Sequence, residues 1–176
     1  MNLRTSIGIL LLVLLVAGAG AQSVDEYQVK AAFMYNFAKF VEWPPHEFKT
    51  STDPIAICLL GHNSFGNAMK QAVNGKTVDG RSFLVRQITG EQETTGCQIL
   101  FVGSSEQKHL HAILEEIKTG GVLTVGETDT FAVEGGMINF KIEGGKVHLQ
   151  VNVDAAEQAK LRISSKLLSL AQIVKR

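Results

Sequence analysis

The sequence predicts an α/β domain with a largely parallel sheet, closed by a C-terminal β-hairpin and helices. Three observations carry that expectation. Short continuous apolar runs, such as Ile55 to Leu60 and Gln98 to Val102, suit strands buried on both faces, as a parallel sheet requires. Segments with helical spacing lie between those runs, and parallel strands need such crossovers. Near the end the pattern switches: Met137 to Ile142 and Lys146 to Val151 flank Glu143-Gly144-Gly145, a hairpin signal.

Taken in order, the chain opens with a short positive start, Met1 to Arg4, followed by an uninterrupted apolar run from Ile7 to Val16. Small residues follow and end in Ala19-Gly20-Ala21, so the expectation is a secretory signal peptide over residues 1–21, cleaved before Gln22. The run is shorter than the roughly 20 apolar residues of a membrane span, and no later stretch could serve as one. No Cys follows it, which argues against a lipid anchor. Residues 22–176 then form one exported domain, for no repeat or Pro/Ser-rich linker divides them.

Val24 to Val41 places Val29, Ala32, Phe33, Phe37, Phe40 and Val41 on one helical face; Ser23 with Glu26 resembles a capping box, and Trp43-Pro44-Pro45 ends the helix. Ile55 to Leu60 is a strand that Gly61 punctuates, and Ser64 to Val73 is helical. Arg81 to Ile88 and Gln98 to Val102 are strands, and a helix opens at Gly103-Ser104-Ser105-Glu106 and runs to about Lys118. Val122 to Val125 is a further strand before the hairpin. Two helical stretches, Asp154 to about Lys160 and Ser164 to Val174, are expected to close the chain.

Composition is globular: 45% of residues are apolar and 19% charged, with Lys+Arg and Asp+Glu balanced at 17 each. No global field favours nucleic acid or an anionic membrane. Cys58 and Cys97 are the only cysteines, too few for a four-thiolate zinc site, and a bridge within the monomer can only join those two. Each adjoins an apolar run, so two buried thiols are the alternative; an oxidising compartment favours the disulfide. With no C-x-x-C motif the bridge is structural rather than redox-catalytic.

Catalytic and metal-ligating constellations are not expected, and neither is a cofactor. Gly61-His62-Asn63-Ser64-Phe65-Gly66 has two residues between Gly61 and Ser64 where a nucleophile elbow has one. His109 and His111 are two apart on a predicted helix and point to different sides. The positive feature is a pair of turns, each after a buried strand and before a helix. If those strands are neighbours, Gly61, Asn63, Ser64, Gly103, Ser104 and Ser105 would bring small side chains and helix N–H groups together for a small anion or polar ligand. Helix capping accounts for the same residues without a ligand.

The blocks EYQVKAAFMYNFAKFVEWP, ICLLGHNSFG, CQILFVGSSE, VLTVGETDTFAVEGGMINFKIEGGKVHLQVN and LRISSKLLSLAQIV, in that order, resemble the YfiR family of periplasmic regulators. The resemblance implies a compact Rossmann-like α/β sandwich able to form a homodimer. It implies a non-enzymatic role in the periplasm of Gram-negative bacteria. There, family members bind the periplasmic region of an inner-membrane diguanylate cyclase and repress it, which lowers cyclic-di-GMP and biofilm formation. An outer-membrane lipoprotein that sequesters the repressor is a second implied partner, and Cys58 and Cys97 fit a family disulfide. A periplasmic ligand-binding or sensor module without a cyclase partner is the alternative.

Overall fold

Every residue from Ile55 to Leu60 and from Ile99 to Val102 is buried, which is what a strand covered on both faces demands. The computed structural model describes residues 20–61 and 65–175. In chain order the elements are α1 (Gly20–Phe40), β1 (Val41–Glu42), β2 (Ile55–Leu60), α2 (Phe65–Val73), β3 (Phe83–Ile88), β4 (Ile99–Val102), α3 (Leu110–Ile117) and β5 (Leu123–Gly126). They continue as β6 (Ile138–Glu143), β7 (Lys146–Asn152), α4 (Val153–Gln158), β8 (Arg162–Ile163), α5 (Ser165–Leu168) and β9 (Ala171–Val174).

Seven strands form one sheet in the order β3-β2-β4-β5-β6-β7-β9. Every neighbouring pair is parallel except β6 and β7, the hairpin that turns at Gly144-Gly145. Both glycines hold positive φ, 56° and 74°, which the tight turn requires.

Strand alternation divides the core in two. Ile57, Leu59, Ile99, Phe101, Leu123 and Val125 face α1 and α2, where Met34, Phe37, Phe65 and Met69 are buried. Cys58, Leu60, Leu100 and Val102 point the other way, onto Leu110, Ile113, Leu114 and Ile117 of α3. The result is a three-layer sandwich. The helical spacing of α1 stacks Phe37 on Phe140 of β6 with ring centres 5.8 Å apart, so the first helix rests on strands from late in the chain.

Four expectations need correction. The stretch from Ser164 to Val174 is not one helix. Ser164 does cap a helix, accepting the Leu167 N–H, but α5 ends at Leu168 and residues 171–174 become β9, paired in parallel with β7. The unpaired edge of β7 supplies backbone partners that outweigh the local helical preference of a short segment. Val41 leaves the first helix for β1, where it pairs with Ile163 and Glu42 with Arg162. That helix begins at Gly20, so Ser23 falls inside it rather than at its cap. The segment after β4 opens as a 3₁₀ turn over Ser104–His109 before α3 begins. The expected signal peptide over residues 1–21, apart from its last two residues, lies outside the described residues. Among those described, no helix is long and apolar enough to cross a membrane.

Candidate functional site at the carboxyl end of the sheet

Strands β2 and β4 are neighbours, with Leu60 in register with Val102, so the turns that follow them emerge side by side. The Gly103 N–H donates to the Leu60 carbonyl at 2.9 Å and ties the two turns together. Gly61 takes a φ of 102°, and a Cβ placed on it would lie 2.6 Å from the Ser105 hydroxyl oxygen. Both the left-handed backbone and this close approach call for glycine. Asn63 and Ser64 lie outside the described residues.

The serines are not caps in the expected sense. Gly103 is the N-cap residue of the 3₁₀ turn and has no side chain to offer, while the Ser105 hydroxyl donates to the Glu106 carboxylate at 3.0 Å. The Ser104 N–H donates at 3.1 Å to Oε1 of Glu127, which follows β5 directly. The strand end thus holds an anion, and the anion is the chain's own carboxylate.

Glu127 has a cationic partner. Its Oε2 accepts from Lys30 Nζ at 2.7 Å, and Lys30 also pairs with Glu26 one turn earlier on α1. Lys30 is 2% exposed, with its ammonium 5.2 Å from the ring centre of Tyr27. Burial pulls its pKa down, but the hydrogen bonds to Glu127 and Glu26 outweigh that and hold it above the usual lysine value. Sequence inspection passed over both residues. The available signal was position: Glu127 immediately follows a buried strand, where side chains reach the carboxyl end of the sheet.

A second cluster lies on the α3 side. The sulfurs of Cys58, on β2, and Cys97, just before β4, are bonded, with Cα atoms 5.9 Å apart. Arg86 sits in register with Cys58 across the β2–β3 pair. Its Nη2 lies 3.3 Å from Cys58 Sγ and 3.1 Å from Cys97 Sγ, and it donates to the Thr95 carbonyl at 3.1 Å. A guanidinium so placed would favour thiolate over thiol if the bond were reduced. Among the described residues, no three His, Cys, Asp or Glu side chains gather closely enough to hold a metal ion.

No curated protein sequence matches the chain. Among solved structures, a conserved domain protein from Vibrio cholerae O1 biovar El Tor strain N16961 is similar with a TM-score of 0.58 at 9% identity, over 85% of this chain and 60% of that one. The ABC domain from Streptococcus pneumonia in complex with L-Trp gives a TM-score of 0.50 at 11% identity, over 68% of this chain and 55% of the other. The chain therefore matches between 55% and 60% of the length of these two structures, and the likeness shows the fold alone. Residues 27–172 match the profile of the YfiR/HmsC-like family.

Proposed function

The chain belongs to the YfiR/HmsC-like family, and from that membership we propose that it is a periplasmic, non-enzymatic regulator of a membrane diguanylate cyclase. It binds the periplasmic region of the cyclase in the inner membrane and represses it, lowering cyclic-di-GMP and biofilm formation. The family match across residues 27–172 is the observation that carries this reading. The Cys58–Cys97 disulfide supports it, because such bonds persist in oxidising compartments. A homodimer, and an outer-membrane lipoprotein that sequesters the regulator, belong to the same proposal.

The deciding experiment is a pull-down from solubilised native membranes with the tagged, oxidised protein, read by mass spectrometry. Recovery of a transmembrane protein with a cyclase output domain is the expected result, and deletion of the gene should then raise cyclic-di-GMP. Failure to recover any such protein from a host that encodes one would overturn the proposal.

The adjacency of β2 and β4 favours a second reading, a ligand site at Gly61, Asn63, Ser64, Gly103, Ser104 and Ser105. A ligand there would have to displace Glu127 from the Ser104 N–H. Ligand-dependent thermal shifts that disappear in Ser105→Leu would support it.

A further inference from the structure

A cleft of about 320 Å³ lies far from the turns just described, where the end of α2 meets the edge strand β3. Val73, Phe83 and Val85 are its more buried, apolar lining, and Lys76, Thr77 and Ser82 are exposed polar residues of the same lining. Val73 is buried, whereas Phe83 and Val85 are only half-buried, so the apolar part is partly open to water. The volume is within the range of small-molecule sites, which combine an apolar lining with a few polar groups.

Charge gives the cleft its character. Lys76 Nζ lies 4.5 Å from the ring centre of Tyr35, and Lys39 Nζ lies 4.2 Å from the same ring. Tyr35 in turn packs edge-on against Phe83 of the lining, with centroids 5.6 Å apart. Lys70 joins Lys76 as the second ammonium on the lining itself. No ion pair joins Lys39, Lys70 or Lys76 to a carboxylate among the described residues. Lys70 and Lys76 therefore bring positive charge to the lining that an anion would offset.

We propose that this cleft is a binding site for a small organic anion, a phosphate or carboxylate joined to a planar apolar ring. The ring lies on Phe83 and Val85, and the anionic group takes Lys70 and Lys76, with the Thr77 and Ser82 hydroxyls as donors. The assignment does not depend on any cyclase partner, so it stands or falls separately from the regulatory role.

Isothermal titration with phenyl phosphate and with benzoate tests it, with inorganic phosphate and phenol as controls. At least one of the two aromatic anions should bind, and the tighter of them names the anionic group. Both controls should bind about tenfold more weakly or not at all. The variant carrying Lys70→Ala and Lys76→Ala, both exposed positions, should keep the native thermal midpoint and lose at least about tenfold in affinity. No binding of either aromatic anion up to about 10 mM would overturn the proposal. So would undiminished affinity in the double variant, or a control that binds as tightly as the aromatic anions.

Discussion

Lys30 and Glu127, 97 positions apart in the chain, meet at 2.7 Å and fasten the first helix to the carboxyl end of β5. Glu127 is also the acceptor of the Ser104 N–H, so the pair links α1, β5 and the turn after β4. Replacing Lys30 by Met leaves a carboxylate with little access to water and no cation beside it. The expected loss is about 3 kcal/mol, measured by denaturant unfolding. The folded-state pKa of Lys30 is raised, so its contribution is complete below the unfolded value of about 10.4 and declines as pH climbs through the folded one. The difference in thermal midpoint between wild type and Lys30→Met should therefore hold up to about pH 10.4 and shrink as pH rises from there. A constant difference above that pH would contradict the assignment.

The Cys58–Cys97 bond closes a 39-residue separation, for which loop-closure entropy gives about 4 kcal/mol. Reduction should lower the thermal midpoint by about 10 °C in a chain of this size. Cys58→Ala with Cys97→Ala should match the reduced protein and stop responding to reductant. A reduced protein as stable as the oxidised one would remove the bridge from any account of stability.

Phe131 is wholly buried between two glycines, and a Cβ on either Gly126 or Gly136 would run into its ring. Gly126→Ala should cost about 1–3 kcal/mol by overpacking. Combined with Phe131→Ala, the added methyl has room, so a double-mutant cycle should return a coupling above about 1 kcal/mol. Additive losses would place the strain elsewhere.

Removing residues 171–176 strips β9 and leaves β7 as an unpaired edge. Such edges recruit other strands. The shortened protein should melt earlier and give larger species in size-exclusion chromatography as concentration rises. A monodisperse truncation with an unchanged midpoint would mean that β9 contributes no protection.

Much of this architecture was legible because burial on both faces writes itself as uninterrupted apolar runs. Ile55 to Leu60 was foreseen to the residue, and the hairpin at Gly144-Gly145 announced itself by its turn chemistry. What escaped were features decided at long range. The run Ala171–Val174 carries no period of its own, and its strand state comes from the edge of β7 that it lies against. The two-residue pairing of β1 with β8 is likewise too short to leave a pattern. At the strand ends the glycines and serines were visible, whereas Glu127 was not. A lone carboxylate acquires meaning only once its partners, Lys30 and Ser104, are brought from distant parts of the chain. Arg86 was hidden for the same reason, as its sulfur partners lie on β2 and just before β4.

Stacking of α1 on β6 also bears on how the protein is made. Phe33 and Phe37 lie near the start of the chain, yet Phe140, the ring they pack against, is among the later residues to be synthesised. Local contacts cannot complete the first helix's surroundings, and a mixed α/β domain of this kind folds more slowly than a helical bundle. Until the hairpin arrives, the aromatic stripe of the newborn helix has its sheet-facing rings uncovered, and a chaperone that shields them would act on this segment first.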